Sequence, residues 1–170
     1  MFDKLWEFIG QFWDTVKFFT IVSAYEQGVH LRWGKLIRVL DAGMWWKWPI
    51  IDEFLTDTVV PTTNPLHEQT LTTKDGFTVV IRGVATRTIN DIAKSLLQSE
   101  DQDGVLADTC YAAISEATVN STWAEIQTEA FVKNITKRAR KRARKYGINI
   151  IELRPMDLVK LRAYRLIGER

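Results

Sequence analysis

Two histidines and one cysteine are the residues of this 170-residue chain whose types most often serve catalysis or metal binding. His30 is predicted on the polar side of a strand and His67 in or beside a loop. Neither stands at metal-ligand spacing from another histidine or from Cys110. Cys110 lies on an apolar helical stripe, where a cysteine packs as a small hydrophobic side chain. The chain also lacks a phosphate-cradling glycine loop and the serine motif of hydrolases. We therefore predict no catalytic residue, no metal site and no cofactor, and we expect a protein that is not an enzyme.

Two pairs of acidic residues could also exchange protons. Asp52 and Glu53 stand at a turn, and Asp101 and Asp103 stand where a helical pattern begins. Carboxylates are common at both places because they accept hydrogen bonds from free backbone N–H groups. We interpret both pairs as structural.

The composition narrows the class of protein. With 46% apolar and 26% charged residues the chain is globular, and its length fits one ordinary domain or two small ones. A single cysteine excludes a disulfide within the chain. No run of about 20 apolar residues is present, so no segment is predicted to cross a membrane as a straight helix.

Seven tryptophans are the outlier of the composition. Trp45, Trp46 and Trp48 lie within four consecutive residues, directly before a proline. Each indole carries an N–H group that needs a partner, and clustered tryptophan is typical of surfaces that meet a membrane interface or another protein. We predict that these three side chains and Met44 contact lipid.

The first 21 residues are predicted to form an amphipathic helix lying in the plane of a bilayer. Their apolar residues recur at helical spacing, and Phe and Trp dominate that face, as suits the headgroup zone. The predicted lipid-contacting side chains are Phe2, Leu5, Trp6, Ile9, Phe12, Trp13, Val16 and Phe19.

Residues 22–89 are predicted to form a β-rich subdomain. Alternating apolar residues predict strands over 29–33, 35–40, 54–60, 66–73 and 77–88. Pro61 and Pro65 bound a predicted loop, and the Asp75-Gly76 pair predicts a hairpin between the last two strands. Gly83 is predicted to mark a bulge.

Five short motifs follow one another in order through this region. They are QGV at 27–29, WGK at 33–35, AGM at 42–44, KWPIID at 47–52 and LTTKDG at 71–76. The series resembles the stomatin/prohibitin/flotillin superfamily, also called the band 7 domain, over about residues 22 to 157. The resemblance implies a membrane-anchored α+β module that self-associates into rings or cages around a patch of lipid. We expect a short member of that family, because no coiled coil follows before Arg170 and the amphipathic helix replaces a continuous hydrophobic anchor.

Residues 90–157 are predicted to form a helix-rich α/β subdomain. Helices are expected from Asp91, over 103–119, after a capping box of Thr122 and Glu125, and over 130–146 up to Gly147. A strand is expected over 148–153, closed by Arg154-Pro155, and residues 158–170 are expected to form a short helix that starts near Asp157. The predicted fold class is therefore α+β, with a β-rich subdomain followed by an α/β subdomain and preceded by the amphipathic helix.

Charge is divided within the second half of the chain. Residues 91–132 carry eight acids and one lysine, whereas residues 133–170 carry thirteen basic residues and three acids. Opposite blocks can pair head-to-tail between neighbouring copies, and such contacts generate rings or open filaments. The predicted contact residues are Glu100, Asp101, Asp103, Asp108, Glu116, Glu125, Glu129, Lys137, Arg138, Arg140, Lys141, Arg142, Arg144 and Lys145.

The basic run over 137–145 has three other interpretations. It could be a solvated helix face, meet anionic lipid headgroups, or bind nucleic acid phosphates. Nucleic acid is the least favoured, because only Tyr146 supplies an aromatic ring near the run.

These patterns together predict a membrane-associated scaffold that forms homo-oligomeric rings or cages and organises a membrane patch, with most of the chain on the cytoplasmic side. Its partners would be the bilayer and further copies of the chain. One alternative is an adaptor that regulates a membrane protease or channel, in which case another membrane protein is a partner. A second alternative is a soluble nucleic-acid-binding protein that uses residues 137–145.

Overall fold

The computed structural model describes residues 18–161, and residues 1–17 and 162–170 lie outside the description that follows. Most of the helix predicted over residues 1–21 falls outside it. Its last residues were predicted wrongly, because Phe19–Val22 forms a strand, β1, which pairs with Gly43–Trp46, β4. Because β1 pairs with a strand that is distant in the sequence, the helical spacing of the first residues gave no sign of this pairing.

A three-stranded antiparallel sheet is built from β2 (Glu26–Arg32), β3 (Lys35–Leu40) and β5 (Asp52–Thr58), in the order β3-β2-β5. Strands β2 and β3 are joined by Trp33 and Gly34, whose φ angles are 51° and 71°. Positive φ at both central positions matches the twist of a tight hairpin, and it is uncommon for a bulky residue. The turn therefore holds an indole in a position usually given to Asn or Gly.

A second sheet is built around the long strand β8 (Thr78–Ile89). It pairs with β6 (Thr62–Pro65), β7 (Gln69–Thr72) and β9 (Ile148–Lys160). The turn between β7 and β8 confirms the hairpin predicted from Asp75-Gly76, and the pairing of β8 with β9 shifts register at Gly83, as predicted for a bulge.

Two predictions about proline in this sheet were wrong. The segment between Pro61 and Pro65 was expected as a loop, but Thr62–Pro65 pairs with β8. Pro155 was expected to close the last strand, and a helix was expected from Asp157. Instead β9 continues to Lys160, so no helix begins at Asp157, and the rest of the range predicted for it, 162–170, lies outside the described residues. Pro155 is tolerated because it lies opposite Gly83, where the register shifts. At that point the pairing of β8 with β9 does not require the N–H group that proline lacks.

Four helices lie within residues 18–161: α1 (Ile92–Gln98), α2 (Gln102–Val119), α3 (Trp123–Ile126) and α4 (Glu129–Ala143). Asp91 caps α1, and the predicted capping box of Thr122 and Glu125 starts α3. A 3-10 turn, Arg144–Tyr146, extends α4 up to Gly147, which takes a φ of 75° and ends the helix as predicted.

The main core lies between the β8–β9 sheet and helices α2 and α4, where Cys110, Ile135 and Leu153 are fully buried. A smaller cluster joins α1 to the three-stranded sheet through Ile92, Val29 and Leu31. The fold is therefore α+β, as predicted, and α1 packs on the three-stranded sheet beside Ile89 at the end of β8.

Candidate functional site

The ribbon formed by β1 and β4 has one wholly apolar face exposed to solvent. Directly paired residues of an antiparallel ribbon share a face, and here Phe19 lies opposite Trp46 and Ile21 opposite Met44. These four side chains are 50%, 49%, 75% and 69% exposed, respectively. Val22, on the other face, is buried. This is the reverse of the usual arrangement for a two-stranded ribbon in water, whose outer face is polar.

Aromatic contacts hold this face in one arrangement. The ring of Trp46 lies edge-on to Phe19 at 4.8 Å between centroids, with Phe18 at 5.7 Å and Trp48 at 6.2 Å. Such edge-to-face and tilted geometries are the favourable ones for aromatic pairs. The indole of Trp46 is therefore the centre of an ordered aromatic cluster.

Two turns extend the apolar exposure beyond the ribbon. The turn after β4 exposes Trp48 by 52% and Ile50 by 88%, and the β2–β3 turn exposes Trp33 by 74%. The backbone N–H of Trp33 donates to the carbonyl of Ile51 at 3.0 Å, so the two turns are tied together. We call the following seven side chains the apolar surface: Phe19, Ile21, Trp33, Met44, Trp46, Trp48 and Ile50.

A buried carboxylate fixes the turn that carries Trp48 and Ile50. Asp52 accepts a hydrogen bond from the backbone N–H of Trp48 at 3.1 Å, and its own N–H donates to the Trp48 carbonyl at 2.9 Å. Arg32 donates to the same carboxylate from Nε at 2.7 Å and from Nη2 at 3.2 Å. Asp52 therefore clamps Trp48 through both backbone groups, and we call this arrangement the Asp52 clamp.

His30 lies beneath the same clamp. Its Nε2 is 3.0 Å from Oδ1 of Asp52, and its ring packs edge-on against Phe54 at 4.8 Å. His30 lies on the same side of β2 as Arg32, as predicted, but it is buried on that side, since the residue is only 3% exposed. Asp52 follows a turn and accepts a backbone N–H from it, as expected of a structural acid, but the prediction missed that Asp52 is buried and paired while Glu53 is exposed.

Hydrogen bonding sets the charge state of the clamp. The Arg32 guanidinium, followed by the His30 imidazole and the Trp48 N–H, holds the pKa of Asp52 far below its ordinary value, against the opposing effect of burial. The carboxylate in turn raises the pKa of Arg32. The clamp is therefore an ionised pair under ordinary conditions.

Trp45 differs from its two neighbours. Because side chains alternate along a strand, it lies on the face of β4 opposite Met44 and Trp46. Its indole N–H donates to the Asp41 carbonyl at 2.8 Å, and the Arg38 guanidinium lies 4.5 Å from its ring centroid. These contacts tie the ribbon to β3, whose Leu36, Ile37 and Val39 are also exposed.

Half of the predicted charged contact residues are engaged within the chain. Glu116 on α2 pairs with Arg138, at 3.2 Å, and with Arg142, and these bonds lower the pKa of its carboxylate, Arg142 having the larger effect. Arg140 donates to the backbone carbonyls of Ile150 and Ile151 at 2.7 and 2.8 Å.

The acids at the helix starts are engaged too. Asp103 pairs with Arg87 at 3.0 Å, Asp101 accepts from the N–H of Gly104, and Glu125 closes its capping box. The predicted contact residues that form neither an ion pair nor a side-chain hydrogen bond with another residue of 18–161 are Glu100, Asp108, Glu129, Lys137, Lys141, Arg144 and Lys145.

The family model for the SPFH domain / Band 7 family matches residues 20–161. The chain belongs to this family. The match covers the strands and helices described above except the first residue of β1. It fits a membrane scaffold role in general, since Band 7 proteins are membrane-associated, typically oligomerise and are generally not enzymes. A search of curated proteins finds no match to the chain.

Three members of the apolar surface of this Band 7 domain were absent from the predicted contact residues. Ile21 was assigned to the end of a helix, and Trp33 was placed at the end of the strand predicted over 29–33. Ile50 lies within the WPII run at 48–51, of which only Trp48 was predicted as a contact residue. The available signal was the Trp33-Gly34 turn, because the first central residue of a tight hairpin turn points away from the sheet.

The predicted lipid-contacting residues Phe2, Leu5, Trp6, Ile9, Phe12, Trp13 and Val16 lie outside the described residues. None of the helices between residues 18 and 161 is long and apolar enough to cross a membrane.

Cys110 is buried, as predicted, and burial raises the pKa of its thiol to about 12. Such a thiol is a poor nucleophile at neutral pH. In the part of the chain that the structure describes, no three His, Cys, Asp or Glu side chains come together in a way that could hold a metal ion.

Proposed function

We propose that this Band 7 protein is a scaffold that docks on a bilayer through its apolar surface and self-associates to organise a patch of membrane. The observation that supports the docking is the wholly apolar, exposed face of the β1–β4 ribbon. Contiguous exposed apolar side chains on a soluble domain mark interaction sites, and Trp and Phe favour the headgroup zone of a bilayer.

The surroundings of the apolar surface favour shallow insertion. Lys47 follows β4 directly, and its ammonium group lies 5.8 Å from the Phe54 ring, while Arg38 stacks on Trp45. Cations beside aromatic residues stay at the level of the headgroups, because moving them into hydrocarbon is costly. The short strands of the ribbon would also keep their backbone groups near water. We therefore propose that the indoles of Trp46 and Trp48 lie among the headgroups.

Within this proposal the β-rich part, residues 22–89, is proximal to the membrane, and residues 90–157 mediate self-association into rings or cages. The predicted charged residues that have no partner within the described chain remain candidates for contacts between copies. The bulk of the chain would lie on the cytoplasmic side. Half of the charged residues predicted for contacts between copies are bonded within the chain instead. Fewer charges are therefore free for such contacts than the sequence indicated.

Flotation with liposomes tests the docking step. The Trp46→Ser, Trp48→Ser variant should float much less than wild type, because two half-exposed indoles are removed from the headgroup zone. A matched control is Leu97→Ser, Val119→Ser, which removes side chains 45% and 53% exposed on α1 and α2 and should float like wild type.

Two further measurements complete this test. The size of detergent-extracted particles, read by electron microscopy, should be unchanged in the tryptophan variant, because docking and self-association use different parts of the chain. Deletion of residues 2–17 separates the contribution of the predicted amphipathic helix. Equal flotation of the tryptophan variant and wild type, both lacking residues 2–17, would rule out the ribbon as a lipid-contacting face, and monodisperse monomers would rule out the scaffold.

A further inference from the structure

Helix α4 carries two groups of cations on opposite sides. With 3.6 residues per turn, the five residues Lys133, Lys137, Arg140, Lys141 and Arg144 fall within about 100° of its circumference. Arg138 and Arg142 lie on the other side, where Glu116 neutralises them. We call the five-residue group the basic stripe. Residues of the stripe that lie four positions apart are both positively charged and repel each other. This repulsion destabilises the helix unless an anion is bound there.

The basic stripe borders two adjoining grooves, one between α4 and β9 and one along α4 and the 3-10 turn that extends it. The first has a volume of about 660 Å³, with Val132 and Ile151 among its lining residues and Lys133 and Lys137 among its cations. The second, of about 420 Å³, is lined entirely by Lys137, Arg140, Lys141 and Arg144. Volumes of a few hundred cubic ångströms suit a small ligand or a headgroup.

The charge in these grooves is almost wholly unopposed. Glu152 is the one acid lining either groove, and it pairs with Arg154 at 2.6 Å. The guanidinium of Arg140 is fixed by its bonds to the Ile150 and Ile151 carbonyls, which places a rigid donor group between the flexible lysines. A fixed guanidinium flanked by mobile ammonium groups is suited to phosphate oxygens.

Another copy of the chain is a less suitable partner for the basic stripe. Four of the seven acids predicted for that role, Asp101, Asp103, Glu116 and Glu125, already cap helices or pair within the chain. Nucleic acid is also less suitable, because none of the residues lining the two grooves is aromatic and so no ring is available for a base to stack on.

We infer that the two grooves along the basic stripe bind a multiply phosphorylated anion of headgroup size. The stripe runs over about 16 Å, which lets several phosphates be contacted at once. The ligand chemistry is shared by a phosphorylated inositol lipid in a bilayer and by a free inositol polyphosphate. This site does not depend on docking through the apolar surface, because its residues belong to the other sheet and its helix.

The test uses full-length protein at physiological ionic strength, with detergent diluted below its critical micelle concentration so that the vesicles stay intact. Isothermal titration with inositol hexakisphosphate measures the free ligand, and flotation with phosphatidylcholine vesicles, with and without a phosphatidylinositol bisphosphate, measures the lipid. The stripe variant is Lys137→Gln, Lys141→Gln. The control is Lys74→Gln, Arg82→Gln, which removes the same charge from exposed residues near and within β8. Exposed lysine-to-glutamine changes leave the fold intact, and matching melting temperatures check this.

Affinity in the stripe variant should fall roughly 30-fold, since each cation near an anionic surface contributes about fivefold. The control should stay within about threefold of wild type. Binding to both probes supports a site that recognises the phosphorylated headgroup alone. Binding only to vesicles supports a site whose ligand is a phosphorylated lipid within a bilayer. Equal weakening in both variants, or no binding by wild type, overturns the inference. So does a stripe variant that loses oligonucleotide binding or large assemblies but keeps phosphate binding.

Discussion

Replacing Asp52 tests whether a buried ion pair organises the apolar surface. Asp52→Ala removes the acceptor for the Trp48 N–H and the partner of Arg32 and His30. Asp52→Asn keeps an oxygen for the Trp48 N–H but removes the charge. Glu53→Ala is the matched control, because it removes one acid from the next position of β5, where the side chain is exposed.

The magnitude follows from which groups lose their partners. The Asp52 side chain is 1% exposed, and without it the Trp48 N–H is left unsatisfied, which costs about 1–3 kcal/mol. The Arg32 side chain is 42% exposed and is hydrated when Asp52 is absent, so the lost ion pair adds little to the destabilisation. We expect Asp52→Ala to lower the free energy of unfolding by about 2–3 kcal/mol, Asp52→Asn by about half of this, and Glu53→Ala by under about 0.5 kcal/mol.

Urea denaturation and thermal unfolding measure this change, and flotation measures its consequence for membrane contact. For a chain of this length the Ala variant should melt roughly 5–10 °C lower. A disordered Trp48 turn must also be ordered again on docking, so flotation affinity should fall roughly tenfold. If Asp52→Ala unfolds at the same urea concentration as Glu53→Ala and floats as well, the clamp does not organise the turn.

The pH dependence of the clamp has a definite sign. Folding lowers the pKa of Asp52, so its stabilising effect is fully present above the ordinary aspartate pKa of about 3.9 and is lost as the pH falls through the lower folded-state pKa. The difference in unfolding free energy between wild type and Asp52→Asn should stay constant from about pH 5 to 8 and shrink below about pH 4. A difference that instead shrank between neutral pH and about pH 5 would assign the effect to another group.

Further substitutions and a labelling reaction test the packing. Gly147→Ala should lower the unfolding free energy by more than about 2 kcal/mol in urea denaturation, because its Cβ would lie 2.3 Å from the Asp91 carbonyl oxygen at a φ of 75°; near-wild-type stability would contradict that packing. Gly28→Ala should speed hydrogen exchange in β2 and β5 but not in β8, since its Cβ would lie 2.6 Å from the Leu55 carbonyl oxygen, and unchanged exchange would show that the strands have room to separate. Cys110, with a thiol pKa raised to about 12, should react with a disulfide reagent at least about a hundredfold faster in urea than in the native protein, and fast native labelling would mean that the core at α2 is open.

Features set by adjacent residues could be predicted from the sequence. The Asp75-Gly76 hairpin, the capping box of Thr122 and Glu125 and the helix end at Gly147 each follow from local backbone chemistry. The burial of Cys110 followed from helical periodicity.

Features set by distant residues could not be predicted in the same way. Strand β1 depends on Trp46, and the extension of β9 past Pro155 depends on the bulge opposite Gly83. The Asp52 clamp joins His30 and Arg32 to a residue on another strand, and nothing in the local pattern around Asp52 distinguishes a buried hub from a turn acid. The apolar surface was found in part, because the clustered Trp46 and Trp48 were conspicuous whereas Trp33 and the two isoleucines were not.

The contacts of α4 with β9 have a consequence for how copies of the chain meet. Thr136 exchanges hydrogen bonds with the backbone of Leu153, and Arg140 takes up the carbonyls of Ile150 and Ile151. A strand edge with free backbone groups can add a strand from another molecule, which is a common route to aggregation. Here side chains of the domain's own helix occupy that edge over 150–153. A strand from a second copy is therefore blocked from pairing with this part of β9.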